Sequence, residues 1–296
     1  MGKQEIICKI CPRECKVNRE NTIGVCGMGS VPKVAKAFLH KWEEPCISGV
    51  NGSGTVFFSG CNLRCCFCQN YAISHENFGK EVSIQRLGQI YLELAKKGAH
   101  NINLVNPTHF LPQIKESITN VEGLKIPFVY NSNGYESIKG LKTVEGLIDV
   151  FLPDFKYYSP KISLRYSGVD DYFEVTAAAI LEMYRQVGGP VFDENGLIAR
   201  GLIIRHLILP GQAKESIKIL DFIKSHFPQN IYISLMSQYT PFYNTEAYPE
   251  INRVITRREY DRVLSHFIKL GFENGYIQER ESADEEYIPN FNLDGV

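Results

Sequence analysis

From residue 55 onward, short apolar runs alternate with longer stretches whose apolar positions recur every three or four residues. The first kind of pattern reads as β-strand and the second as amphipathic helix. Candidate strands span 55–59, 101–105, 128–132, 150–155, 202–209 and 231–236. The clearest helix spans 83–97: Ile84, Leu87, Tyr91, Leu94 and Ala95 fall at helical spacing, Ser83 suits an N-cap and Gly98 a stop. Further helices are expected over 176–186, with Ile180, Leu181 and Tyr184, and over 214–225, with Ile217, Leu220 and Phe222. Alternating strands and helices predict parallel pairing through right-handed crossovers. Six such units suit an α/β fold, a partial (β/α)6 barrel, and residues 51–296 are assigned to it with a C-terminal extension. Its chemistry is expected at the C-terminal ends of the strands.

The first of those ends carries Cys61-Asn62-Leu63-Arg64-Cys65-Cys66-Phe67-Cys68. Cys61, Cys65 and Cys68 are spaced C-x3-C-x2-C. A cubane iron–sulfur cluster is usually held by four thiolates. Three leave one iron without a protein ligand, the open position a catalytic metal site offers to a substrate or cofactor. The spacing also admits zinc with a distant fourth ligand, or buried thiols, and on spacing alone Cys66 can replace Cys65 or Cys68.

Other strand ends are polar or basic. They carry Asn106-Pro107-Thr108-His109, Asn131-Ser132-Asn133-Gly134-Tyr135, Asp154 and Lys156, Arg205 and His206, and Ser237-Gln238-Tyr239. Packing alone does not ask for five such ends in register, which favours a shared site. Asp154 and Lys156 are two apart on a strand and face the same side, where an acid and a base can receive a zwitterion or ribose hydroxyls; the bland alternative is a surface salt bridge. Arg205 and His206 are adjacent and face opposite sides, one of them into the site. His109 suits either a site residue or a helix start. His75, His100 and His226 have no supporting neighbours, and Tyr157 and Tyr158 read as packing or rim residues.

Residues 1–50 differ in character and read as a small metal-stapled cap with its linker. Cys8, Cys11, Cys15 and Cys26, spaced C-x2-C-x3-C-x10-C, fit one closed site, either structural zinc or a second iron–sulfur cluster. Such a cap is too short to bury a core unaided. Glu43 and Glu44 are acid–base candidates, although adjacent loop carboxylates are more often solvated. Cys46 reads as a plain thiol, and the glycines of 48–54 as a flexible link into the first barrel strand.

Composition narrows the class. A net charge of −1 over 296 residues makes no electrostatic case for nucleic acid or an anionic membrane. No apolar stretch has the length of a membrane-spanning helix, and the N-terminus lacks a signal-peptide core. Nine cysteines clustered in the first quarter favour metal binding in a reducing, cytoplasmic compartment over disulfides. The charge run 279–286 and the aromatic end 287–291 read as a solvated segment whose end packs on the barrel, or as a partner contact.

The Cys61/Cys65/Cys68 loop, with Phe67 before the third cysteine, resembles that of radical S-adenosylmethionine (radical SAM) enzymes. The likeness extends through Phe58-Ser59-Gly60, Cys68-Gln69-Asn70, 101–109, 152–157, 204–207 and 235–241. Together with the N-terminal cysteines these segments resemble the branch named for pyruvate formate-lyase activating enzymes, with cysteines ahead of the radical motif. The resemblance implies a [4Fe-4S] cluster whose open iron chelates S-adenosylmethionine, reductive cleavage of that cofactor and hydrogen abstraction from a substrate. It also implies an external electron donor and, for an activase, a glycyl radical enzyme as partner. Asp154 and Lys156 match an Asp-x-Lys of the true activating enzymes, which implies cofactor contacts and, for the Asp, help in holding a monovalent cation. Many relatives carry Gly-Gly-Glu after the second strand; here Asn106-Pro107-Thr108 stands there, so Thr108 or the backbone is expected to meet the cofactor's amino group. The full set expected around the cofactor is Phe67, Asn106, Thr108, Asp154, Lys156, Arg205 and His206. The alternatives are a radical enzyme acting on a small metabolite and a non-catalytic iron–sulfur or zinc scaffold or electron carrier.

Overall fold

The computed structural model describes residues 7–278 and 289–296, so the charge run 279–286 lies outside the described residues. The strands are β1 (Lys33–His40), β2 (Ser53–Phe58), β3 (Lys80–Glu81), β4 (Ile102–Val105), β5 (Phe128–Ser132), β6 (Val150–Pro153), β7 (Val191–Phe192), β8 (Ile198–Leu207), β9 (Tyr232–Met236) and β10 (Gly275–Ile277). The helices are α1 (Pro45–Ser48), α2 (Tyr71–Ser74), α3 (Ile84–Lys96), α4 (Leu111–Thr119), α5 (Ile138–Thr143), α6 (Pro160–Ser167), α7 (Tyr172–Val187), α8 (Ala213–His226) and α9 (Arg257–Lys269). The six strands read from the apolar runs are β2, β4, β5, β6, β8 and β9, all parallel and side by side in that order. Ser83 caps α3 as expected, its side chain accepting from the Arg86 N–H.

The sheet is open, a partial barrel. One edge is extended by β10, parallel to β9. Gly275 makes that pairing feasible: its φ is +129°, and a Cβ there would lie 2.0 Å from the Ile233 carbonyl oxygen. At the other edge β1 runs antiparallel to β2 and carries β3. Residues 33–40 were expected in the cap but belong to the sheet; Lys33 and Lys36 break up the apolar pattern, as suits a strand near an edge. Nor is 48–54 a free link: Ser53 and Gly54 begin β2 and are buried. Phe291 packs edge-on against Phe57 at 5.4 Å, and the Leu293 N–H donates to Ala35, so the end of the chain lies along β1.

Strand alternation sorts the residues between two faces. Ile102, Leu104, Tyr130, Phe151, Leu202, Ile204, Ile233 and Leu235 join the main core with Leu87, Ile90, Tyr91 and Leu94 of α3. Val129, Val150, Leu152 and Ile203 face the lumen, where Cys46 and Ile47 of α1 pack on them as a plug. Farther along the same strands, residues of lumen parity are Asn131, Asp154 and Arg205, so apolar floor gives way to polar mouth within one turn of the pleat. Among the described residues, no helix is long and apolar enough to cross a membrane.

Candidate active site

A cavity of about 250 Å³ opens at the mouth of the sheet. Cys61, Cys65, Cys68, Phe67, Asn106, Asp154, Lys156 and Arg205 all line it, together with Gln69, Asn70, Asn131, Asn133, Gln238 and Tyr239. Cys66 does not; its N–H donates to the Tyr166 carbonyl (2.9 Å) and its carbonyl accepts from the Asn244 N–H (3.1 Å). Two main-chain bonds thus turn Cys66 away and leave the C-x3-C-x2-C set facing one chamber.

Each of those three sulfurs has a donor. Cys61 Sγ accepts from the N–H groups of Leu63 (3.4 Å) and Arg64 (3.5 Å) and from Asn133 Nδ2 (3.5 Å). Cys65 Sγ accepts from Ser167 Oγ at 3.0 Å and Cys68 Sγ from Ser74 Oγ at 3.2 Å. As free thiols Cys65 and Cys68 resist ionisation, burial pushing Cys68 up to about 12 and Cys65 upward as well. A metal bound there would supply the charge that makes thiolates. Among the described residues, no three His, Cys, Asp or Glu side chains converge on a single metal-ion position. A cubane asks for something else, since each thiolate binds its own iron and the sulfurs are spread around a chamber.

The floor is a charge network. Asp154 pairs with Lys156 and, at 2.9 Å, with Arg205 Nε. Arg205 also pairs with Glu43 (3.2 Å) and donates to Asn131 Oδ1 (2.6 Å). Burial alone would push Asp154 up, but Arg205 and Lys156 outweigh it and hold the carboxyl below its ordinary range. Burial would lower Lys156, and Asp154 more than restores it. Glu43 goes the other way: burial raises it despite Arg205, because Asp154 already claims much of that cation and repels it. Glu44 is likewise buried and raised. The expectation that this pair is solvated therefore fails. Residues 42–48 run into the lumen, where Glu43 also accepts from Asn103 (3.3 Å) and Asn131 (3.2 Å). A second chamber of about 140 Å³, lined by His40, Trp42, Glu43 and Phe57, shares Gln69, Asn131, Arg205 and Gln238 with the first.

Two expected residues do not reach the cavity. His206 has the parity of Ile204, so it faces the core, where Nδ1 meets the Phe155 carbonyl at 2.6 Å and burial lowers the ring to about 4. Thr108 sits in a short 3-10 turn and donates to Glu136 Oε1 at 2.6 Å. Burial raises Glu136 to about 7, a group with no signal in the sequence. Asn106 does line the cavity, in a left-handed conformation (φ 54°), its Nδ2 donating to the Gly60 carbonyl (3.1 Å) and its Oδ1 accepting from Asn133. His109 is a buried turn residue against the Ser59 carbonyl. Gly134 lets the turn after β5 pass close to Asp154; a Cβ there would lie 2.2 Å from the Asp154 carbonyl oxygen.

The N-terminal cysteines are grouped on tight turns. The Cys8 N–H donates to Val17 (2.9 Å), and Lys16 donates back to Cys8 (3.1 Å). A Cβ on Gly24 would meet Cys15 Sγ at 3.3 Å and Cys26 Sγ at 3.4 Å, so that glycine leaves a cradle between two sulfurs. Burial raises Cys11 to about 12, with the Cys26 and Cys8 thiols adding to it. The segment docks on the site loop: the Cys61 N–H donates to the Cys26 carbonyl (3.1 Å), and Arg13 Nε to the Asn62 carbonyl (2.7 Å).

Comparison with known proteins bears on the family and the fold. The chain is 33% identical over 268 residues to uncharacterized protein MJ0674 of Methanocaldococcus jannaschii, covering 87% of this chain and 73% of that one. In structure it is similar to Streptococcus suis SuiB, solved with the precursor peptide SuiA (TM-score 0.52, 13% identity, 74% of this chain, 46% of that one). SuiB bound to S-adenosylmethionine gives a TM-score of 0.51 at 15% identity, over 74% of this chain and 48% of that one. The chain thus spans about half the length of SuiB, a likeness of fold. The model of the radical SAM superfamily matches residues 55–223, from β2 into α8, and the chain belongs to that superfamily.

Proposed function

We propose that this protein reductively cleaves S-adenosylmethionine and abstracts hydrogen from a substrate, as an activase of a glycyl radical enzyme in the branch its sequence resembles. The observation that carries the radical chemistry is the single cavity on which Cys61, Cys65 and Cys68 open together with Asp154, Lys156 and Arg205. Three spread thiols with donors on each sulfur fit a [4Fe-4S] cluster with one open iron. Held by Cys61, Cys65 and Cys68, such a cluster would supply the single electron for reductive cleavage of S-adenosylmethionine and, through it, the means of abstracting hydrogen.

The protein's own part is to bind, orient and exclude water. Cys61, Cys65 and Cys68 hold the cluster. Asp154 and Lys156, fixed by Arg205, meet the zwitterionic or ribose portion of the cofactor, with a monovalent cation near Asp154. Asn106 and the main chain beside it take the place of the Gly-Gly-Glu segment. Phe67, whose ring packs edge-on against Tyr239 at 5.6 Å, walls the cavity. Cys8, Cys11, Cys15 and Cys26 hold a second metal centre, zinc or iron–sulfur, in a reducing cytoplasm. An external donor supplies the electron.

A small-metabolite radical enzyme is the second reading, favoured by the 140 Å³ polar chamber beside the cofactor cavity, which suits a small occupant.

Anaerobic iron, sulfide and zinc content, read with deoxyadenosine formation after dithionite, tests the reading. About four irons with zinc, or about eight without, each with deoxyadenosine, support it. Absence of both iron and deoxyadenosine after reconstitution overturns it in favour of a scaffold. A glycyl radical signal generated in a partner protein distinguishes the activase.

A further inference from the structure

Cys65 and Cys68 each meet a serine hydroxyl that lies far from the cysteine loop or outside its motif. Ser167 ends α6, about a hundred residues along the chain, and is buried with Oγ 3.0 Å from Cys65 Sγ. Tyr157 Oη lies 2.7 Å from the same Oγ, whose single proton is directed at sulfur, so the phenol is the donor between them. Tyr157 Oη to Ser167 Oγ to Cys65 Sγ is therefore a directed chain of donors. Ser74, at the end of α2, places Oγ 3.2 Å from Cys68 Sγ, and His75 Nδ1 lies 2.8 Å from that Oγ. Ser74 lines the cavity itself, whereas Ser167 is held behind it on a helix terminus that Arg13 clamps through the carbonyls of Ser167 and Gly168.

We propose that Ser167 and Ser74 are positioning residues that set the electron affinity of the cluster on Cys65 and Cys68. This rests on those cysteines being cluster ligands. A hydroxyl donating to a thiolate withdraws charge from sulfur and stabilises the reduced, more negative cluster, raising its potential. Tyr157 strengthens the donor at Cys65. The two hydroxyls ease the entry of the electron that the reaction requires, and each can be removed with the loss of a single oxygen atom, unlike the main-chain donors on Cys61.

The experiment is an anaerobic redox titration of the full-length protein, following the reduced-cluster EPR signal that changes when S-adenosylmethionine is added; that criterion separates it from any signal of the N-terminal site. At the wild-type midpoint, Ser167→Ala lowers the reduced-to-oxidised ratio about tenfold, equal to about 59 mV for a one-electron couple. Ser74→Ala and Tyr157→Phe move it less, in the same direction, and adding Tyr157→Phe to Ser167→Ala moves it no further, because Tyr157 acts through Ser167. Ser74→Thr, which keeps the hydroxyl, restores the wild-type potential. A wild-type potential in an iron-replete alanine variant overturns the assignment for that serine. Wild-type protein without iron overturns the ligand reading instead.

Discussion

In the loop after β2, Cys61, Cys65 and Cys68 stand where a buried strand delivers them, and their sulfurs take donors from Asn133, Ser167 and Ser74. Cys8, Cys11, Cys15 and Cys26 instead sit on turns closed by main-chain bonds within their own segment, anchored to the barrel by Arg13 and Arg19. The first region takes its geometry from the buried parallel strand it follows. The second has little apolar burial of its own beyond Cys11, Cys26 and Met28, and so depends on whatever its thiols hold. On the proposed reading, the fold imposes the geometry of the first site, whereas at the second the bound metal would.

The strongest test of that contrast pairs two substitutions. Cys65→Ala is expected to reduce deoxyadenosine formation to background while the thermal midpoint stays near wild type. Cys15→Ala is expected to release the second metal and lose hydrogen-exchange protection over residues 8–26, with the barrel unchanged. Deoxyadenosine formation surviving Cys65→Ala would overturn the ligand assignment.

Arg205→Leu probes the catalytic side without touching sulfur. It leaves Asp154 and Glu43 buried without their shared cation, and breaking such a pair costs about 3–5 kcal/mol. Urea unfolding measures this, and a loss under 1 kcal/mol would mean that water replaces the guanidinium at low cost.

Glu136 lies between the regions, near enough to Cys11 to raise its thiol and bonded to Thr108. The folded chain keeps its proton up to about pH 7, whereas the unfolded chain releases it near the ordinary 4.5. Stability attributable to this group therefore declines as pH rises from about 4.5 through about 7, by on the order of 3 kcal/mol. Glu136→Gln should flatten that part of the profile in unfolding curves at pH 5 and pH 8; an unchanged slope places the dependence elsewhere.

Arg13→Ala should have the smallest effect. It removes charged hydrogen bonds to the carbonyls of Asn62 and Gly168, roughly 1.5–3 kcal/mol of docking. Faster exchange over residues 8–26 and at the end of α6 is the expected result, and uniform destabilisation would show that cap and barrel unfold as one unit.

Local pattern determined much of this protein. The six apolar runs became the six central parallel strands, because a strand in that setting must be apolar to be buried. The cysteine spacing marked the loop that opens on the cavity, and alternation already said that Arg205 and His206 face opposite ways. It did not say which faces in; that follows from the lumen parity of Ile203 and the core parity of Ile204. Tertiary structure alone decided the rest. Glu43 reads as a loop carboxylate until residues 42–48 are seen to enter the lumen and meet Arg205, 162 positions away. Residues 33–40 read as cap until β2 pairs with them, since lysines at an edge disguise a strand. Ser74 and Ser167 are ordinary helix-end serines in sequence, and only the approach of α2 and α6 to the cysteine loop puts their hydroxyls on sulfur. Periodicity records what each residue owes to its neighbours in the chain; hydrogen bonds and ion pairs between distant segments leave no such periodic trace.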